Sequence, residues 1–169
     1  MYFNHSLFEE TGVGSIYDIV EIGKWTLDKF NEIANTCYQD LNGNSEVDRD
    51  DRFGFTVDNS NNGLNFFFSS GLRITTRDSD GLPKLNLDNQ KVFDLIDKLN
   101  TMYNQPAFIS SGKEADAEFT KVFTDGRSLF YAGTFSSAEK FRDLSFDFGV
   151  IPFPKYDEEQ AGYYILFSD

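Results

Sequence analysis

Residues 123–135, FTDGRSLFYAGTF, decide the fold class, because the first half of this stretch closes a helix and the second half opens a strand. Phe119, Val122 and Phe123 recur at helical spacing, which predicts a helix over 115–124 with one buried face. Gly126 supplies the left-handed stop such a helix needs. Ser128 to Ala132 is then an apolar run of strand length, closed by Gly133. A helix handed directly to a core strand is the repeating step of an α/β sandwich.

The alternation extends in both directions. Downstream, 137–144 reads as a helix and 146–153 as a strand, which Pro152 and Pro154 restrict to a sheet edge or an exit from the sheet. Upstream, Val92, Ile96, Leu99 and Tyr103 share one side of a helix over 89–103. Residues 74–87, broken by Asp80-Gly81, read as a surface hairpin, 64–69 as a short helix and 59–62 as a turn cluster. The run FGFTV, 53–57, reads as a core strand. Thr26 caps a helix whose Leu27, Phe30, Ile33, Ala34, Cys37 and Tyr38 form one apolar face, with Asp28 near its positive end. Residues 15–18 resemble a capping box opening a short helix that Gly23 ends, Gly12 and Gly14 mark a turn, and YFNHSLF, 2–8, reads as a strand. The expectation is one three-layer α/β/α lobe over 1–169, its sheet combining 2–7, 54–58, 127–132 and 146–151.

Composition removes several function classes. The chain carries 28 acidic against 15 basic residues, a formal charge of −13 that opposes nucleic acid and anionic membrane surfaces. Its one cysteine, Cys37, and one histidine, His5, exclude a disulfide framework, a Cys-based zinc cluster and a multi-histidine metal site. Gly12-Val13-Gly14 lacks the third glycine of a dinucleotide loop. Carboxylates are abundant, yet no pair has flanking residues that point to a general acid and base, so no catalytic residue is assigned. No run reaches the length of a membrane span, and no basic-then-apolar leader opens the chain.

Two constellations remain. In DLNGNSEVDRDD, 40–51, the side chains of Asp40, Asn42, Asn44, Asp48 and Asp51 occupy positions 1, 3, 5, 9 and 12, and Glu46 can offer its carbonyl at 7, the spacing of a calcium loop. Ser45 stands where such loops carry glycine, and Asp51 is shorter than the usual bidentate Glu. A metal-free polar loop is the competing reading. The second constellation is aromatic: Trp25 before a helix, Phe66 beside glycines, and Phe135 in Gly133-Thr134-Phe135-Ser136. Rings at turns can stack on the apolar faces of sugars while Asn65, Thr134 and Ser136 bond hydroxyls, although core packing is the commoner fate of any one ring.

Five segments in order, YFNHSLFEETG (2–12), GKWTLDKFNEIA (23–34), DLNGNSEVDRDDRFGF (40–55), FTDGRSLFYAGTF (123–135) and LSFDFGVIPFPKYDEEQAGYY (144–164), resemble the family 1 extracellular solute-binding proteins. That resemblance implies the C-terminal-lobe part of a type II periplasmic-binding-protein-like fold, in which two lobes close on a ligand. It implies capture of a sugar or oligosaccharide without turnover for an ABC importer whose permease subunits are the partners. It further implies an extracellular or periplasmic parent held to the membrane by a lipid and no required cofactor, while Asp40, Asn42, Asn44, Asp48 and Asp51 match a calcium-like loop seen in some members, which with the Glu46 carbonyl makes a structural calcium the optional addition. The N-terminal lobe, the lipid-bearing leader and the last helices are expected to lie outside this chain. Phe135 falls where relatives place a sugar-stacking aromatic, Asn65 and Phe66 fall near a second one, Thr134 flanks the first, and Trp25 matches a Trp-Thr helix start. Many relatives carry Trp where this chain has Phe135, which leaves the ligand class open. A calcium-dependent interaction module and a glycoside hydrolase fragment are the rival functions.

Overall fold

The computed structural model describes residues 1–57, 62–110 and 116–166. Strand β1, Tyr2–Asn4, is followed at once by helix α1, His5–Glu10, then α2, Ile16–Glu21, and α3, Leu27–Asn35. Strand β2, Phe53–Val57, leads to α4, Asn62–Ser69, and to a hairpin of β3, Thr75–Arg77, and β4, Pro83–Leu85. Helix α5, Gln90–Tyr103, precedes β5, Phe108–Ser110. Helix α6, Asp116–Thr124, hands on to β6, Ser128–Ala132, then a 3-10 helix, Phe135–Phe141, and β7, Phe148–Val150.

Among the described residues the main sheet has five strands in the order β5-β2-β6-β1-β7. Strand β2 runs parallel to both β5 and β6, whereas β1 runs antiparallel to both β6 and β7. Alternation along each strand then sorts side chains to two faces. Phe3 and Phe130 enter the larger core with α1 to α5, and Tyr2 and Tyr131 enter a smaller one with Phe123 and Phe141. Helices therefore cover both faces, which is the expected α/β/α layering. Helix α3 lies so close to β2 that a methyl group on Gly54 would sit 2.0 Å from the Ala34 carbonyl oxygen.

Several expectations are corrected. The strand expected at 2–8 stops at Asn4, because the Asn4 side chain accepts from the Leu7 amide at 3.1 Å and starts α1, burying Leu7 and Phe8 on its inner side. The strand expected at 146–153 is only β7, which does lie at the sheet edge. The helix expected at 137–144 is the 3-10 helix and begins two residues earlier. Strand β5 was not expected at all. On α5 the buried residues are Val92, Leu95 and Met102, so Ile96 points outward. The turn cluster at 59–62 falls largely outside the described residues, as do Asp58 of an expected strand and Ala115 of an expected helix. The caps at Ser15 and Thr26, the 74–87 hairpin and the inward set Phe119, Val122 and Phe123 match the sequence reading.

Candidate ligand-facing edge and the 40–51 loop

Strands β2, β5 and β6 end on the same edge of the sheet because they are mutually parallel. From β2 the chain departs toward β5, and from β6 it departs toward β7 on the opposite side. The connections therefore diverge between β2 and β6, and in open α/β sheets ligands bind outside the carboxyl ends of strands at that divergence. Residues 58–61 and 111–115, which follow β2 and β5 in the chain, lie outside the described residues. The turn after β6 is described, and it is built for exposure.

Gly133 opens the turn. A methyl group there would lie 2.4 Å from the Tyr131 ring and 2.8 Å from the Ser137 hydroxyl, so only glycine passes. Across the sheet, the Tyr2 hydroxyl donates to the Thr134 carbonyl at 2.8 Å and reaches the Phe135 carbonyl at 3.4 Å. Burial raises the Tyr2 phenol above its ordinary value and keeps this donor protonated. Thr134 and Ser136 share a hydroxyl contact of 2.7 Å. Between them Phe135 stands 78% exposed, an unusual position for so apolar a ring and the largest exposure among the large hydrophobic side chains of the described residues.

The other expected rings are elsewhere. Trp25 is fully buried, its indole N–H donating to the Pro152 carbonyl at 3.0 Å and its ring packing on Phe30 and Phe130. Phe66 is fully buried among Phe30, Phe55 and Phe153. As placed, neither ring offers a face to a ligand, and the stacking platform expected at Trp25 and Phe66 is corrected to core packing. Asn65 is half-buried and has an interaction partner of its own. The structure therefore brings Thr134, Phe135 and Ser136 together and leaves Trp25 and Phe66 inside. Tyr2, which fixes the turn, was read only as a strand residue.

The 40–51 loop turns as its spacing demands. Ser45, at the sixth position, has φ 64°, the left-handed conformation for which glycine is usual. Asp40 accepts from the Gly43 amide at 2.6 Å and the Ser45 amide at 2.9 Å, and Asn44 accepts from the Glu46 amide at 2.7 Å. Asp48 receives the Asn44 side-chain amide at 2.6 Å and the Asp50 N–H at 2.8 Å. The Asp50 N–H, then Asn44 and Asn42, hold the Asp48 carboxyl below the usual carboxylate range. Buried Asp51 closes the loop, accepting from the Leu41 and Asp48 amides and from the Tyr38 hydroxyl at 3.2 Å each. Among the described residues no three His, Cys, Asp or Glu side chains stand close enough to hold a metal, so these carboxylates are engaged by the loop's own donors.

A second concavity, about 510 Å³, lies between α3 and α5 beside Tyr156. Of the charges that line it, Asp28 pairs with Lys98 at 2.5 Å, and beside it the Lys91 ammonium lies 4.7 Å above the Tyr156 ring.

No known family's sequence pattern matches the chain, and no characterised protein matches it by sequence. Its shape does have counterparts. It superposes on the maltose/maltodextrin-binding domain MalE of Bdellovibrio bacteriovorus bound to maltotriose, with a TM-score of 0.62 and 16% identity, over 90% of this chain and 36% of that one. The fold is that of a solute-binding-protein lobe. The lobe also matches the Thermus thermophilus maltotriose-binding protein bound with maltotriose, with a TM-score of 0.59 and 15% identity, over 96% of this chain and 38% of that one. A family 1 extracellular solute-binding protein from Bifidobacterium longum subsp. infantis gives a TM-score of 0.59 at 17% identity, over 92% and 38% of the two chains. The lobe thus spans 36 to 38% of the length of these three proteins. Among the described residues, none of its helices is long and apolar enough to cross a membrane.

Proposed function

We propose that this chain is the ligand-capturing lobe of a solute-binding protein serving an ABC importer, and that it binds a sugar or oligosaccharide without chemical turnover. The exposed Phe135 carries the reading: an apolar ring at the divergence point of the sheet, with two hydroxyls beside it, suits the alternating apolar faces and hydroxyl rims of a sugar. The likeness to two maltotriose-bound proteins supports the ligand class. In this proposal a second lobe closes over the ligand, permease subunits receive it, and the parent works outside the cytoplasmic membrane on a lipid anchor.

Titration with maltotriose, followed by amide chemical shifts, tests the reading. Perturbations centred on 133–137, weak in affinity because one lobe leaves a ligand half-solvated, are expected. Saturating sugar that moves no amide in that turn while the lobe stays folded would refute it.

We also propose calcium for the 40–51 loop, favoured over a metal-free loop by the left-handed Ser45 at the position that makes such loops turn. The loop offers hard oxygens, three carboxylates and two amides together with the Glu46 carbonyl, and because Asp40, Asp48 and Asp51 do not converge in this structure, calcium would hold them only by drawing them away from their present hydrogen-bond donors. Bound calcium would supply stability to the loop rather than chemistry. Melting in calcium against chelator tests this, with a higher midpoint expected in calcium. Equal midpoints and no calorimetric heat would remove it, along with the rival interaction-module function.

A further inference from the structure

The chain contains two Asn-Gly pairs, Asn42-Gly43 and Asn62-Gly63. This dipeptide is chemically fragile because glycine has no side chain to block attack by its own amide. The Gly nitrogen, on losing its proton to solvent base, bonds to the Asn Cγ. The Cγ–Nδ2 bond breaks, ammonia leaves with a proton from water, and a succinimide ring remains. Water then adds across either ring carbonyl to give aspartate or isoaspartate. Both Asn42 and Gly43 are exposed, and open space surrounds the Gly43 Cα, so sterics do nothing to prevent the attack.

Hydrogen bonds do prevent it. The Gly43 N–H, which must lose its proton, donates to Asp40 Oδ1 at 2.6 Å, and an adjacent carboxylate opposes formation of a second negative charge there. The electrophile is held as firmly. Asn42 Oδ1 accepts from the Asn44 amide at 3.0 Å, and Asn42 Nδ2 donates to both oxygens of Asp48 at 3.3 and 3.1 Å. Turning Cγ toward the Gly43 nitrogen breaks all of these contacts together.

We propose that Asn42-Gly43 is a latent deamidation site kept inert by Asp40 and Asp48, so that opening of the 40–51 loop is the gate to an irreversible change. Either product adds a carboxylate facing Asp48, and isoaspartate also lengthens the backbone between Asp40 and the residues that bond to it. A loop that has converted cannot close as before. The inference stands on the loop's own hydrogen bonds and needs neither the sugar nor the calcium reading.

The test is ageing of the whole chain at mildly alkaline pH in chelator, native and in urea, with mass spectrometry of the peptides carrying Asn42 and Asn62. Native wild type is expected to convert at Asn42 at least about tenfold more slowly than in urea, the scale of one or two lost hydrogen bonds. Asp48→Ala should recover most of that difference in the native state while leaving the Asn62 peptide unchanged. Asp48→Asn, which preserves shape, is read in its place where circular dichroism shows Asp48→Ala unfolded. Equal Asn42 rates for native and urea-unfolded wild type overturn the proposal, as does a folded Asp48 variant that ages at the wild-type rate.

Discussion

Replacing Phe135 by Ala separates a ligand platform from a packed ring, and the structure fixes the size of the answer. The ring is 78% exposed, so about a fifth of its surface is removed from water. Full burial of a Phe side chain is worth about 1.5–3 kcal/mol, and a fifth of that leaves at most about 0.6 kcal/mol to lose. Phe66 is the matched control, fully buried with Phe30, Phe55 and Phe153 rings 5.7, 6.0 and 5.3 Å away. Phe66→Ala should cost about 3–5 kcal/mol, which for a domain of this size is a midpoint drop of about 6–20 °C. Calorimetric melts of both variants, with maltotriose shift titrations of Phe135→Ala, make the assay. The expected result is a near wild-type melt with the sugar response lost. A Phe135→Ala loss comparable to that of Phe66→Ala would place the ring in a core and remove the platform.

Three further outcomes follow from particular contacts. Gly54→Ala should destabilise by about 3 kcal/mol or more in urea unfolding, because the added methyl meets α3 backbone 2.0 Å away; a cost under about 1 kcal/mol would mean that α3 lifts freely from β2. Burial above all, opposed by Arg52 and reinforced by Glu10, pushes the Cys37 thiol up to about 11, so Ellman's reagent at pH 8 should label it slowly in the folded chain and rapidly in urea, and fast native labelling would contradict its burial. The Asp48 carboxyl is held low by the Asp50 N–H and the Asn44 and Asn42 amides, so its contribution is present above the ordinary carboxylate range and is lost as pH falls through the lowered value. The side-chain amide signals of Asn42 and Asn44, which bond to Asp48, should therefore hold steady through mild acid and move only below the usual carboxylate midpoint, whereas movement of both at that midpoint would show Asp48 unbonded.

The fold was legible wherever a segment carries its own reason for its structure. Residues 53–57 and 128–132 are apolar runs between stops, and both are strands with every residue buried. Thr26, Ser15 and Asn89 each accept from an amide three residues on, a local bond that any cap-forming sequence announces. Asn4 announces itself in the same way, but the alternation of YFNHSLF masked it, and the expected strand ran through the start of a helix. Strand β5 carries no such signal. Three residues become a strand because β2 presents its amides, those of Gly54 and Phe55 both donating to the Ala107 carbonyl. Ile96 shows the same limit on a helix: its spacing fits the buried stripe, yet the neighbours that would cover it are not on that side.

The candidate site was legible in kind more than in place. In the sequence Trp25, Phe66 and Phe135 each lie within a few residues of glycine and small polar residues, although Phe66 falls inside α4, and nothing local announces which ring is covered. What distinguishes them is which element crosses above. Phe66 lies under Phe153 and Trp25 under Pro152, both contributed by the exit from β7 more than eighty residues away in sequence, whereas the Phe135 ring stays largely exposed. The device that keeps Phe135 outward is equally remote: Tyr2 sits at the amino end of the chain and reaches across the β1–β6 pairing to the Thr134 carbonyl. Antiparallel register brings Tyr2 opposite Tyr131, so the start of β1 meets the end of β6 on the edge where the parallel strands β2, β5 and β6 also finish. An antiparallel partner inserted beside parallel strands thus braces the edge that carries Phe135, and the position of that ring follows from sheet topology before it follows from any motif.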